Sequence, residues 1–406
     1  MSTIPDPGVS PDGFRIGMLI NDTRYRAYTF QFIALVLLLF GIGYLISNLL
    51  ANLERAGLNI SWAFLGEPAG YDINQRPIEY TSQSTHARAS IVGAINTLIV
   101  AFLACVSATV LGVIAGVLRL SNNWLVARMM SIYVEAFRNV PVLIWILIIF
   151  LAMSNALPQP RAFRGDNATS EMWLDMVAFT NRGVYIPAFE NGSGSLVFWL
   201  TILASIIGVF AYRRYARNLL YSTGQMLPTG WPSLAILIAP GLIMYFVMGQ
   251  PVGLERPELK GFNFQGGVHL RLSLIALWFA LAIYTGAFIA ENVRAGIQAI
   301  SKGQTEAAAA LGLRPGRIMN LVILPQALRV IIPPLISQYL NITKNSSLAI
   351  AVGYMDITGT LGGITLNQTG RAIEAILLLM LFYLTVSLTI SVVMNIYNNS
   401  VKLKER

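Results

Sequence analysis

Eight stretches of this chain, at roughly 28–50, 89–118, 139–157, 195–212, 232–249, 270–290, 320–342 and 372–398, are long apolar runs with few or no charges. A helix needs about 20 apolar residues to cross the roughly 30 Å of a bilayer's hydrocarbon. No water reaches backbone groups there, so each run must close its own hydrogen bonds as a helix. The prediction is an all-α polytopic membrane protein with eight transmembrane helices. Of the 406 residues, 55% are apolar and 12% charged, about half the charge of a soluble chain. The first run follows polar residues that include Arg15, Arg24 and Arg26. It is too long for a signal-peptide core and lacks a small-x-small cleavage site, so it is predicted to be a retained span.

The net charge of +9 could suggest nucleic acid, but the basic residues sit beside the spans rather than in one stripe. With the N-terminus placed in the cytoplasm, sixteen Lys and Arg fall on the inner side, among them Arg119, Arg128, Arg138, Arg213 and Lys302. Nine fall in the three main outer loops, which also carry ten acidic residues. The positive-inside rule then predicts both termini in the cytoplasm. Cys105 is the single cysteine, so it forms no internal disulfide, and His86 and His269 lie far apart; nothing favours a metal site. The outer segments 51–88 and 158–194 carry turn signals such as "LPQPR" and "ENGSGS" and are predicted to form small folded caps.

One inner segment is neither a span nor an ordinary loop: "SKGQTEAAAALGLRPGRIMNLVILP", from Ser301 to Pro325. Gly303 reads as a break and Thr305 as an N-cap, with Glu306 in the first turn complementing the helix dipole. Ala307 to Ala310 are strong helix formers with minimal side chains. Gly312 reads as a C-cap, and Pro315 stops continuation. A two-turn helix over about 305–312 is expected. So short a helix is marginal in water unless packed. Two readings stand open: a knob packed on the protein's own spans, or a docking surface for a soluble partner.

Glu306-Ala307-Ala308, three residues, Gly312, nine residues, Val322, one residue and Leu324-Pro325 resemble the signature loop of ATP-binding-cassette importer permeases. Val322 stands where that family usually has Ile. "EAFRNVPVLIWI" (135–146) and "LPQALRVIIPPLISQYLNITKNSSLAI" (324–350) resemble permeases for polar amino acids. "GVYIPAF" (183–189) and "TKNSSLAIAVGYMDITGT" (343–360) look like the Q-type permease subunits of general L-amino acid or glutamate/glutamine/aspartate/asparagine importers. The resemblance implies a type I permease in a bacterial inner membrane, with a five-helix core at 89–157 and 270–398. An extra first span and outer loop would occupy 1–88, a two-span insertion 158–269, and a cytoplasmic tail 399–406. It implies a coupling helix bearing Thr305, Glu306, Ala307, Ala308, Gly312 and Pro325. The implied partners are an ATPase, expected as a dimer, a second permease subunit and an extracytoplasmic amino-acid-binding protein, besides membrane lipid.

An ATP-driven importer needs a nucleotide site, and a P-loop ends in Gly-Lys-Ser/Thr. No Gly-Lys dipeptide occurs in this chain, nor a Gly-x-Ser-x-Gly or His-Glu-x-x-His pattern. The chain is thus expected to be no enzyme and to carry no cofactor of its own, with ATP and magnesium on a partner. The rival class is an ion-coupled secondary transporter or channel subunit, which would keep ionisable groups in its spans. Arg329, Lys344, Asp356 and Glu374 are the candidates, and Arg329 and Glu374 read as snorkelling or interfacial charges. "TGTLGG" (358–363) reads as turns rather than a filter loop. Lys344, Asn345, Ser346 and Ser347 read either as simple helix termination or as a gate or substrate path. Arg138 and Asn139, before Pro141, read as an inner anchor opening the third span, or as part of the inner path or partner interface. Ala108, Gly112 and Gly116, four apart, predict a close-packing face for another span.

Overall fold

The computed structural model describes residues 18–21, 23–55, 57, 59–165 and 168–401. Arg15, Lys402, Lys404 and Arg406, counted above among the inner charges, lie outside the described residues. The chain divides into two units, 1–63 and 64–406. The first contains α1 (Met18–Asn21) and α2 (Thr23–Arg55). Phe30, Leu37, Phe40 and Leu45 leave α2 apolar and exposed on every side, the surface of a helix whose solvent is lipid.

The second unit runs through α3 (His86–Leu118), α4 (Trp124–Asn139), α5 (Val142–Ala156), α6 (Ser195–Thr223), α7 (Gly230–Val247) and α8 (Leu272–Gln298). It continues through α9 (Lys302–Ala310), α10 (Pro315–Ile318), α11 (Leu324–Asn345), α12 (Leu366–Thr369) and α13 (Ala372–Val401). Among the described residues eight helical segments, containing α2, α3, α5 (as Val142–Phe163), α6, α7, α8, α11 (as Pro315–Val352) and α13, are long and apolar enough to cross a membrane. This is the polytopic helical architecture expected from the apolar runs.

The core is built around α8, which packs against α3, α4, α5 and α11. Leu277, Leu281 and Ile289 are among its fully buried side chains. Helices α3 and α8 touch along the small-residue face of α3. A Cβ added to Gly112 would stand 2.5 Å from that of Ile289, so only glycine permits the approach. The predicted Ala108–Gly112–Gly116 face therefore serves packing within this chain. Helices α6 and α7 pack mainly against each other.

One sequence expectation needs correction here. The third span does not begin at residue 139. Val140 is extended (φ −113°, ψ 134°) and Pro141 caps α5, because a residue preceding proline is driven out of helical geometry. Residues 124–139 form the separate helix α4, so Arg138 and Asn139 end that helix instead of opening the span. Val134 of α4 is buried, while Trp124, Leu125, Met129 and Ile132 are exposed.

The segments 158–194 and 250–271 carry short strands. β1 (Ala178–Thr180), β2 (Gly183–Ile186) and β7 (Val268–Arg271) form an antiparallel sheet in that order. β3 (Ala188–Asn191) pairs with β4 (Val252–Glu255), and β5 (Glu258–Lys260) with β6 (Asn263–Gln265). The β2–β7 ladder, with Tyr185 opposite His269, ties the segment before α6 to the segment after α7. Tyr185 is the buried centre of this cap. Its ring stacks on His269 at 4.1 Å and its hydroxyl donates to Asn263 Oδ1 at 2.7 Å.

Candidate functional site

Helix α9 starts earlier than its sequence suggests. Ser301 takes the extended cap conformation (φ −62°, ψ 140°), and the helix runs from Lys302. Thr305 is therefore an interior residue and not the N-cap, and Gly303 lies within the first turn without breaking it. Alanine propensity extends the helix backwards over a glycine that costs about 1 kcal/mol. The C-terminal end matches its reading. Gly312 has φ +78°, its N–H donates to Ala309 O at 2.9 Å, and Leu313 N–H donates to Ala308 O at 3.3 Å. That pair of bonds is a Schellman motif, which satisfies carbonyls left over at a helix end. Nothing lies within 4 Å of a Cβ built on Gly312, so backbone conformation alone demands glycine.

Ala308 is the one buried side chain of α9. Glu306, Ala307, Ala309, Ala310 and the following Leu311 are exposed. The helix is held from behind by Gln326, whose amide donates to Gln304 and, at 2.9 Å, to Val322 O. After the Gly312 stop, α10 passes through a widened π-helical turn, Met319–Ile323, directly into α11. Pro325 sits in the first turn of α11, where proline is tolerated. Residues 315–345 form one continuous helical rod.

That rod is two-faced. Ala327, Ile331, Ile332 and Ile342 are buried, whereas Pro334, Ser337, Asn341 and Lys344 are exposed at helical spacing along the other side. A polar, exposed stripe on a span suits contact with something other than lipid tails. Of the four residues read together at 344–347, Lys344 is exposed and Asn345 half-buried. Ser346 and Ser347 donate at 2.7 Å to Thr343 O and Lys344 O. The two serines are engaged in ending the helix, which tightens into a 3-10 turn at Ser346–Val352.

Beyond this break the chain is fastened to α3. Tyr354 donates its hydroxyl to Asn96 O at 3.0 Å, and Ile357 N–H donates to Thr97 Oγ1 at 3.1 Å. Asp356 is fully buried and accepts from Gly359 N–H at 2.9 Å. Residues 358–365, read in part as turns, form a π-helix. Glu374 is no snorkelling charge: it is buried in the first turn of α13, 3.5 Å from Arg371. Arg329 departs from the interfacial reading as well, since its Nε and Nη2 are buried without a hydrogen-bond partner among the described residues.

The structure places Arg138 in a cluster that sequence reading missed. Its guanidinium lies 5.2 Å from the Phe288 ring centroid and 3.6 Å from Glu291 of α8. Glu291 also pairs with Arg294 at 3.0 Å and with Arg119 from the end of α3. A signal was available, because Glu291 and Arg294 stand three apart at the end of an apolar run. Asn139 is exposed beside this cluster. No ion pair joins the cluster to Lys344 among the described residues. No group of three His, Cys, Asp or Glu side chains that could hold a metal ion occurs among the described residues.

Comparison with known proteins adds a family. Residues 201–403 match the profile of the binding-protein-dependent transport system inner membrane component. The chain is 53% identical to the glutamate/glutamine/aspartate/asparagine transport system permease protein BztB of Rhodobacter capsulatus, over 97% of this chain and 98% of that one. It is 45% identical to the putative amino-acid ABC transporter permease protein YhdX of Escherichia coli, covering 94% and 95% of the two chains. It is 39% identical to the general L-amino acid transport system permease protein AapQ of Rhizobium johnstonii, covering 97% and 96%.

Proposed function

The chain belongs to the family of binding-protein-dependent transport system inner membrane components, and on that premise we propose that it is one permease subunit of an ATP-driven amino-acid importer. The observation that carries this reading is α9: a short helix with a bare, exposed face, stopped by Gly312 and followed at once by the rod 315–345, which bears a polar stripe. Full-length similarity to permeases named for amino acids supports the substrate class. The family match gives the ion-coupled alternative no support.

In this reading an ATPase on separate chains, holding ATP and magnesium, receives α9 in a cleft. Glu306, Ala307 and the exposed end near Gly312 form the contact, Ala308 and Thr305 face the chain's own body, and Pro325 begins the rod that carries motion onward. A second permease faces the polar stripe of α11, so that Ser337, Asn341 and Lys344 line a path between two subunits. A binding protein delivers the amino acid on the outer side. The sidedness is the one charge predicts, with both termini in the cytoplasm and the protein in a bacterial inner membrane. The five-helix core is 89–157 with 270–398, and 158–269 is an insertion.

Closure of the ATPase dimer displaces α9, and the displacement tilts the rod. Shifting such a two-state equilibrium from 1:99 to 99:1 takes about 5.5 kcal/mol of differential binding, within what nucleotide binding at two sites supplies. Glu306→Lys alters an exposed side chain, and Gly312→Val forces a β-branched residue into left-handed backbone, at about 1–2 kcal/mol. Both variants are expected to insert normally yet lose uptake and retention of the ATPase during purification. Normal uptake by both would overturn the docking assignment.

A further inference from the structure

We propose that the groove between Arg119 and the exposed face of α4 binds the phosphate headgroup of an anionic lipid of the inner leaflet. The groove has a volume of about 750 Å³ and is lined by Arg119, Arg128, Ser131, Ile132, Glu135 and Asn139, among others. Its charge is unbalanced. Glu291 alone answers Arg119, Arg138 and Arg294, and Arg128 adds a fourth guanidinium against the single carboxylate of Glu135 in the lining. Two cations and one anion line the groove itself, and the Glu291 cluster continues from Arg119 behind it.

A donor is also waiting. The Arg119 side chain is only 9% exposed, it lines the groove, and its Nε is buried without a hydrogen-bond partner among the described residues. A buried N–H of this kind calls for an acceptor, and phosphate oxygens match guanidinium geometry well.

Lipid fits better than free phosphate because of what surrounds the groove. Trp124, Leu125, Met129 and Ile132 form an exposed apolar row on α4. Ile114, Val117 and Leu118 expose another on the last turns of α3. Acyl chains have apolar surface along α4, whose Ile132 lines the groove, and a tryptophan marks the depth of a membrane interface. Basic pockets between spans on the cytoplasmic side are suited to anionic headgroups. The leaflet assignment rests on the charge topology proposed above; the groove and its charge do not.

Native mass spectrometry of the full-length chain, purified with its associated subunits, tests this with dioleoyl phosphatidylglycerol against dioleoyl phosphatidylcholine. Wild type is expected to retain phosphatidylglycerol about tenfold better. Arg119→Gln and Arg128→Gln should each cut that preference about fivefold, and Arg217→Gln on α6 should leave it unchanged. Arg128 is exposed, so its variant remains informative if Arg119→Gln fails to fold. Equal retention of the two lipids, or full preference in both groove variants, would overturn the site. Displacement by millimolar inorganic phosphate with no dependence on acyl-chain length would overturn the lipid as its source. Labelling of Arg128→Cys by an impermeant maleimide from the outer side would overturn the leaflet while leaving lipid binding readable. None of these readouts depends on transport, so failure of the importer reading is scored separately by the α9 variants.

Discussion

At the scale of single residues, Glu291 concentrates more consequence than any residue named from sequence. Its carboxylate joins the ends of α3 and α4 to α8 through Arg119, Arg138 and Arg294. Removing the shared partner leaves three like charges facing one another, which is far costlier than removing one cation of three. Glu291→Gln is therefore expected to destabilise the protein by about 2 kcal/mol, discounted for its partial exposure. Arg138→Gln, at a 3.6 Å contact with a 38% exposed side chain, should cost less than about 1 kcal/mol. Thermal unfolding in detergent reads the order; equal effects would mean the cluster does not act through Glu291. Arg138 was visible in the sequence as a charge beside a proline. Its partner was not, since an ion pair between distant segments has no local signature.

At the scale of elements, helix ends were read better where chemistry left one solution. Gly312 was legible as a stop because a left-handed residue favours glycine, and φ +78° is what it adopts. Thr305 misled because it is a good cap by type, while Ser301, another good cap, lies earlier and takes the extended conformation. Helix α4 was not predicted, and its inward face is narrow, with Val134 its one buried side chain among the described residues. The contact between α3 and α8 makes a quantitative claim. Gly112→Ala places a methyl 2.5 Å from Ile289 Cβ, and overpacking of this kind costs about 1–3 kcal/mol. Gly303→Ala, with nothing within 4 Å, should instead leave stability unchanged or raise it by up to about 1 kcal/mol. Unfolding midpoints for the pair in parallel check the claim, and equal values would mean that α3 and α8 are not in such close contact.

At the scale of the whole molecule, the strand cap decides how the pair of helices α6 and α7 closes on itself. β2 and β7 pair across the entire α6–α7 excursion, and His269 lies within that ladder against Tyr185. Burial pushes the His269 imidazole below its ordinary 6.5, outweighing its bond to Arg182 O. The folded cap thus holds a neutral imidazole, while the unfolded chain takes up a proton as pH falls through 6.5. Stability from this group is constant above that value and is lost below it. Protection factors over 183–186 and 268–271, taken relative to the intrinsic exchange rate at each pH, should fall between pH 7.5 and 5.5, and His269→Phe, which keeps a ring for the stack, should abolish the difference. An unchanged difference in His269→Phe would assign the pH response to another group. The sequence by itself determined the class of molecule, the number of spans and the stop of α9, because membrane-crossing length, charge and left-handed backbone are local demands. Tertiary structure alone decided that β2 meets β7, that α8 is the central helix and that three arginines share one carboxylate. Those outcomes depend on which distant segments pack together, and no short window of residues carries that information.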